Sequence, residues 1–320
     1  MIDVSVVIPM KNAEPYVRET LEAVLAQSGM ALEVIVIDDG STDRSREIAE
    51  QMRDSRVHII DGPRRGISAA FNAGLTAARG DVLARCDADD LYPPGRLAWQ
   101  VQFLREHPEF GAVCGSFATI SPKGKMIAWP SGGAAGEEIT AELLAGGGRS
   151  HMCAYAFRTA LLREIGGCRE WFVTSEDRDL QFRLAEITRI RYEPRLAYLY
   201  RLHDASVTHT QQSRRRRFFE QMSLEFQRQR REVGMDDLQR EQAPPPPDSD
   251  DSKPRSTRQQ IQELLLGESW KMHATGNKLK SLGIGLRACA ARPCNLTAWK
   301  SFAALIVKPT NRQSAIGNRQ

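Results

Sequence analysis

The chain opens with short apolar runs separated by stretches of helical periodicity. Val4-Ser-Val-Val-Ile8, Glu33-Val-Ile-Val-Ile37 and Val57-His-Ile-Ile60 are β-branched runs too short for helices and read as strands. Between the first two, Glu14 to Ser28 places Val17, Leu21, Val24 and Leu25 at i, i+4, i+7 and i+8, one face of a helix that Gly29 ends. A second helix follows Ser41 and Thr42, which are expected to cap it, and turns Ile48, Ala49 and Met52 inward. An Ala-rich helix runs from Ile67 to Arg79 and stops at Gly80, and a fourth strand covers Asp81 to Cys86. Apolar strands alternating with helices predict a mainly parallel sheet covered on both faces. Ligands of such sheets bind beyond the carboxyl ends of the strands. Three polar loops belong to that edge: Pro9 to Pro15, Asp38 to Asp43 and Cys86 to Pro94.

The rest of the chain is patterned differently. Roughly 116–210 is less regular, and Gly132-Gly133 and Gly146 to Gly148 suggest mobile connections over a ligand. Arg214 to Val233 reads as an Arg-rich helix. Glu241 to Ser252, with four consecutive prolines, cannot bury a core and reads as a disordered linker. Beyond it, Ile261, Leu264 and Leu265, then Leu279, Leu282 and Leu286, then Trp299, Phe302 and Ile306 form three helical stripes. The expected organisation is an α/β domain over 1–235, a Pro/Asp-rich linker over 236–256 and a basic helical region over 257–320.

Composition changes this picture little, and charge more. With 41% hydrophobic and 26% charged residues the chain is an ordinary globular protein. Its longest nearly apolar run, Leu296 to Val307, contains Lys300 and is too short to cross a bilayer. Met1-Ile-Asp-Val-Ser lacks the pattern of a secretory signal, and the six cysteines lack Cys-x-x-Cys spacing, so a cytoplasmic protein with reduced thiols is expected. The net charge of +4 hides a division: Lys253 to Gln320 carries 12 Lys and Arg against Glu263 and Glu268, leaving −6 for 1–252. Such a tail is expected either to meet an anionic membrane surface, peripherally at its inner face, or to pack as a helical subdomain. No recognised nucleic-acid motif accompanies the charge.

Chemistry concentrates in the loops. Asp87-Ala-Asp89-Asp90 follows the fourth strand, and three carboxylates there would repel one another unless a cation sat among them. Hard oxygen ligands suit Mg²⁺ or Mn²⁺. After the second strand, a capped turn accounts for Gly40 to Asp43 but not for the adjacent Asp38 and Asp39, one of which suits a base N–H or a ribose hydroxyl. The first loop, Pro9-Met-Lys-Asn12-Ala-Glu-Pro15, lacks the Gly-x-Gly-x-x-Gly of a dinucleotide site, and no Walker A sequence occurs.

Taken together, Val4-Ser-Val-Val-Ile-Pro9, Asp38-Asp39-Gly-Ser-x-Asp43, Gly66-Ile-Ser-Ala-Ala-Phe-Asn72-x-Gly74 and Asp87-Ala-Asp89-Asp90 resemble, in order and spacing, the inverting family 2 glycosyltransferases of GT-A fold. The resemblance covers about residues 3 to 210. It implies a Rossmann-type, mainly parallel sheet, a nucleotide-sugar donor (usually a UDP-sugar), a divalent metal and a saccharide or lipid-linked acceptor. It implies that Pro9, Asn12, Gly66 and Asn72 border the donor, that Asp39 meets the uracil with Asp38 beside it, that Asp87 meets the ribose or diphosphate, and that Asp89 is the principal metal ligand. Thr174-Ser175-Glu176-Asp177 resembles the segment carrying the general base; Asp177 is the choice, with Glu176 and Asp179 as alternatives. Tyr200-Arg201-Leu202-His203 resembles the segment where a His nears the metal, with Arg201 suited to a phosphate. Phe71 stands where relatives carry Arg, leaving Lys11, Arg64 or Arg65 as substitute cations. His151 is expected to pack structurally. The competing readings are a sugar-phosphate nucleotidyltransferase, which would carry a Gly-rich basic first loop, and a degenerate nucleotide-sugar-binding protein.

Overall fold

The computed structural model describes residues 2–128, 135–204, 213–247 and 256–310; Gly132-Gly133 and the linker residues 248–255 lie outside them. The described residues form two compact units. One comprises 2–117, 135–200 and 213–247, the other 118–128, 201–204 and 256–310.

The first unit follows the alternation of apolar runs and helical stripes: β1 (Val4–Met10), α1 (Val17–Leu25), β2 (Leu32–Asp38), α2 (Ser45–Glu50), β3 (Val57–Asp61), α3 (Ile67–Ala77), β4 (Val82–Arg85) and α4 (Arg96–Glu106). The strands pair in parallel in the order β3-β2-β1-β4. Every residue of β1 and β2 is buried, which is why both read as uninterrupted apolar runs. Successive side chains point to opposite faces. Val6, Ile8, Val34 and Val36 pack with Val17, Leu21 and Leu97, whereas Val7, Ile35 and Ile37 pack with Phe71 and Leu75. Phe71, the departure from the family pattern, is thus a fully buried core residue.

The less regular middle of the chain completes a mixed sheet. It supplies β5 (Phe110–Ile120), β6 (Met126–Ala128), β7 (Glu137–Glu138), α5 (Thr140–Leu144), a 3₁₀ turn (Met152–Ala154), β8 (Tyr155–Arg158), α6 (Thr159–Glu164), α7 (Glu176–Ala185) and β9 (Arg189–Arg201). β8 lies between β4 and β5, antiparallel to both, and β7 pairs antiparallel with β9. The Arg-rich helix α8 (Ser213–Val233) buries Phe219 and Phe226 against Trp171 and Phe172.

The residues after α8 differ from the expected linker at its start. Asp236 is fully buried and paired with Arg169 at 2.6 Å and Arg230 at 2.5 Å, because Arg169 in the loop before α7 and Arg230 of α8 converge on one buried point that needs a carboxylate. Residues 236–247 therefore belong to the first unit. The second unit contains α9 (Thr257–Ala274), α10 (Lys278–Ala291) and α11 (Leu296–Val307), capped by Ser256, Asn277 and Asn295. It also takes in 118–128 and 201–204, assigned from sequence to the α/β domain. Hydrogen bonds explain the difference: Arg287 Nη2 donates to the Met126 carbonyl at 3.0 Å, and the Thr257 N–H donates to Asp204 Oδ1 at 2.7 Å. Among the described residues no helix is long and apolar enough to cross a membrane.

Candidate active site

β2-β1-β4 is a topological switch point: the chain leaves β1 for β2 on one side and returns to β4 on the other. The loops after β1, β2 and β4 collect at its carboxyl edge, where ligands of such sheets bind. The first two are laced together. The Asn12 N–H donates to Ser41 Oγ at 3.1 Å, and Asn12 Oδ1 accepts the Thr42 N–H at 2.8 Å. The Ala13 N–H donates to Ser45 Oγ at 2.7 Å and the Glu14 N–H to Asp43 Oδ2 at 3.0 Å. Asp43 also accepts the Ser45 N–H at 3.0 Å, so Asp43, outside the Arg44 N-cap, satisfies the first amide of α2, and Ser41 and Thr42 bond the neighbouring loop instead of capping it. Asn12 holds φ at 53°, a left-handed conformation that Asn tolerates.

Asp38 and Asp39 divide their work. Asp38 Oδ1 accepts the Ser41 N–H at 2.9 Å, with Arg46 Nη1 at 3.4 Å from Oδ2. Burial pushes its carboxyl up, but the Ser41 bonds and Arg46 outweigh that and hold it below the usual range. Asp39 Oδ1 accepts the Arg64 N–H at 2.6 Å and Oδ2 the Gly66 N–H at 3.1 Å. This clamp demands room: a Cβ on Gly62 would come within 2.8 Å of Asp39 Cα and Oδ1. It leaves Arg64 beside Gly40, and among the described residues neither Arg64 nor Lys11 pairs with a carboxylate, whereas Arg65 pairs with Glu170 at 3.2 Å.

The acidic loop after β4 is neutralised from below by a residue the sequence analysis passed over. Arg85, the last residue of β4, is buried; its Nε lies 2.7 Å from Asp87 Oδ1 and its Nη1 3.2 Å from Glu176 Oε1. A charged residue ending an all-buried strand just before three acids was the available signal. The guanidinium thus ties the loop to the amino terminus of α7, where Asp177 stands next to Glu176. Burial raises the Asp87 carboxyl, but the Arg85 charge and then His151 overcome it, so Asp87 stays below the usual range. At Glu176 burial wins over Arg85 and the carboxyl is raised. Asp90 is spent structurally, accepting the Tyr198 hydroxyl at 2.6 Å. Ser175, which precedes α7, holds φ at 62°.

Three expected site residues turn out to be engaged in structure. The Asn72 side chain forms a two-bond strut with Cys168: its Nδ2 donates to the Cys168 carbonyl at 2.7 Å, and its Oδ1 accepts the Cys168 N–H at 2.8 Å. Both ends of the amide are thus used within the fold. Asp179, the alternative base, is fully buried between Arg169 and Arg183, each with a nitrogen 2.9 Å from Oδ2. Arg201 lies buried in the second unit, where its Nη1 donates to the Pro122 carbonyl at 3.0 Å. His203 is buried in the same unit, and Pro9 is buried within β1. None of these site residues lines the 540 Å³ groove bounded by Trp99, Phe103, Phe110, Arg189 and Arg195.

His151 does pack, stacking on Tyr198 at 5.6 Å and 5°, with Nδ1 accepting the Cys153 N–H at 3.2 Å. It also meets the acidic loop: ligand atoms of Asp87, His151 and Cys153 lie within 4.8 Å of one another. Burial, then Asp87, pushes the Cys153 thiol well above its ordinary value, so no thiolate is offered. What remains of this group, the Asp87 carboxylate and the His151 imidazole, is a donor set that fits a hard or borderline divalent ion, and Asp89 follows two residues later in the same loop.

Comparison with known proteins accords with this geometry. Against the curated relatives, the chain is 42% identical over 89 residues to the uncharacterized glycosyltransferase EpsJ of Bacillus subtilis (27% of this chain, 26% of that protein). It is 26% identical over 212 residues to an uncharacterized glycosyltransferase of Rickettsia typhi (65% of this chain, 66% of that protein). It is 27% identical over 209 residues to the chondroitin synthase of Pasteurella multocida (62% of this chain, 20% of that protein). The matched stretch thus spans from a fifth to just under two thirds of these relatives. Among solved structures, S. aureus TarS 1-349 in complex with UDP-GlcNAc superimposes with a TM-score of 0.61 at 19% identity, covering 95% of this chain and 82% of that one, a likeness of fold. The model of the family "Glycosyl transferase family 2" matches residues 5–164, and the chain belongs to that family.

Proposed function

We propose that the chain transfers a sugar from a nucleotide-sugar donor, a UDP-sugar, to an acceptor hydroxyl with inversion at the anomeric carbon, in the synthesis of a polysaccharide or glycolipid. The observation that carries this is the Arg85 bridge, which joins the Asp87–Asp89 loop to the helix terminus bearing Asp177. Donor and base are thereby assigned to two elements held together by one buried guanidinium. The UDP-GlcNAc complex of TarS and the chondroitin and hyaluronan synthases among the relatives support the donor class.

In this reading the uracil lies by the Asp39 clamp, each of whose oxygens keeps a lone pair beyond the bond it accepts. Lys11 and Arg64, cations at the same edge, face the diphosphate. Asp87 and Asp89, with His151, hold the divalent ion, which supplies charge stabilisation to the departing diphosphate. Asp177 accepts the acceptor hydroxyl's proton as that oxygen bonds to the anomeric carbon, and the bond to the diphosphate breaks with its electron pair. Asp177 suits the role better than its neighbours: Asp179 is locked between arginines and Glu176 faces Arg85.

The test is a comparison of donor binding and turnover. UDP should bind wild type with Mn²⁺ in calorimetry, and a screen of UDP-sugars and saccharide acceptors should reveal transfer. Asp177→Asn should bind UDP as wild type does and lose on the order of 10²–10⁴-fold in kcat. Failure of UDP and its sugars to bind with metal present would sink the donor assignment. Full turnover by Asp177→Asn would sink the assignment of the base.

A further inference from the structure

The three helices of the second unit bury and expose the wrong residues for a body surrounded by water alone. Facing its neighbours, α10 buries Ser281, Gly285, Ala288 and Cys289, and α11 buries Ala298 and Leu305. The contact is close: a Cβ on Gly285 would stand 2.9 Å from Phe302 Cδ2. Small residues of α10 thus make room at the seam for Phe302 and Leu305, while many of the other large apolar side chains point outward. Leu279 is 87% exposed, Leu296 73% and Val307 81%, joined by Leu286, Trp299 and Ile306. On α11 the exposed positions Leu296, Trp299, Ala303, Ile306 and Val307 recur at helical spacing and form one face.

The charge on these helices has one sign. From Lys278 to Lys308 there are six cations (Lys278, Lys280, Arg287, Arg292, Lys300 and Lys308) and no Asp or Glu. Among the described residues none of the six meets a carboxylate; Lys278 and Arg287 donate to backbone carbonyls instead. At the start of α11, Arg258 and Arg292 also line a cavity of about 590 Å³ with Ser256, Asn295 and Leu296. An exposed apolar face fringed by uncompensated cations is complementary to a surface that is oily beneath and negative above. Since none of the described helices can cross a bilayer, the face would lie in the headgroup layer.

We infer that the exposed face of α10 and α11 docks on an anionic lipid surface, with Leu286, Trp299 and Ile306 entering the acyl boundary and Lys280, Arg287 and Lys300 meeting lipid phosphates. This names a partner surface for the chain and stands apart from the donor site, so either can fail alone.

The experiment is flotation of the full chain with vesicles of phosphatidylcholine alone and with about one-third phosphatidylglycerol, at low and high salt. Two triple variants accompany it: Leu286→Glu/Trp299→Glu/Ile306→Glu, and Lys280→Gln/Arg287→Gln/Lys300→Gln. All the altered side chains are solvent-facing, and circular dichroism and melting check that both variants fold. Binding to the anionic vesicles is expected, weakened by salt. The charge variant should lose about five-fold per cation, on the order of 100-fold in all, and the apolar variant should not float. The inference is overturned by absence of binding to anionic vesicles, by equal binding to neutral ones, or by binding that both variants retain. A dimer of the wild-type chain that the apolar variant abolishes would overturn it too, assigning the face to a second copy.

Discussion

Replacing Arg169 with Met should destabilise the first unit strongly while leaving its surface unchanged. Arg169 is largely buried and serves two fully buried carboxylates: both oxygens of Asp179, and Asp236 at 2.6 Å. Removing one partner of a buried pair costs about 3–5 kcal/mol, because a desolvated charge is left behind. Here each carboxylate keeps another arginine, Arg183 at 2.9 Å from Asp179 and Arg230 at 2.5 Å from Asp236, which argues for the lower end, about 3 kcal/mol. At ~2–4 °C per kcal/mol for a unit of this size, the melting temperature falls by ~6–12 °C. The loss should depend on pH with a definite sign. Burial raises the Asp236 carboxyl, but Arg169 and Arg230 hold it below the ordinary value. A depressed carboxylate contributes stability above its unfolded pKa, about 3.9, and loses it as pH falls through the folded value. The variant has less of that contribution to lose, so the gap from wild type is full at neutral pH and narrows below about pH 4. Urea unfolding of both proteins at neutral pH and at about pH 3.5 measures this. A difference under about 1 kcal/mol at neutral pH, or one that widens in acid, would refute the reasoning.

Other substitutions probe the site. Asn72→Ala removes both bonds to Cys168 and should cost about 1–3 kcal/mol in unfolding while UDP affinity stays unchanged; a large fall in affinity at native stability would restore Asn72 as a donor contact. Arg85→Met strands Asp87 and Glu176 and should cost about 3–5 kcal/mol in denaturant unfolding, with kcat also reduced; wild-type stability and kcat would show that the bridge holds nothing. Asp89→Ala should abolish the Mn²⁺ dependence of UDP binding in calorimetry, and a retained dependence would move the ion to other ligands.

Much of the first unit is legible because local patterning and burial agree there. β1 and β2 are apolar at nearly every position because both their faces are covered, and the exceptions are informative. Glu33 sits within β2 because Ser5 Oγ and Arg79 hold its carboxylate. β9 is harder to see: Arg189 to Glu193 alternates charged and buried residues, but Pro194 interrupts the run, and its partners are remote in sequence.

The sequence by itself determined the alternation of strands and helices in the first 115 residues, the three loops at one sheet edge, the order of motifs and the uneven charge. These follow from side-chain periodicity, turn chemistry and composition, all local properties. Tertiary structure alone decided which polar groups were left for chemistry. Of Glu176, Asp177 and Asp179, adjacent on one helix turn, packing commits Asp179 to Arg169 and Arg183 and Glu176 to Arg85. It likewise turns Asn72 onto Cys168, places Arg201 and His203 in the second unit, and brings His151 beside Asp87. The physical reason is that a buried polar group must find its partner wherever the chain brings one. That partner lies 46 residues away for Glu33, which meets Arg79, and 91 residues away for Arg85, which meets Glu176, and separations of that kind leave no periodicity in the sequence.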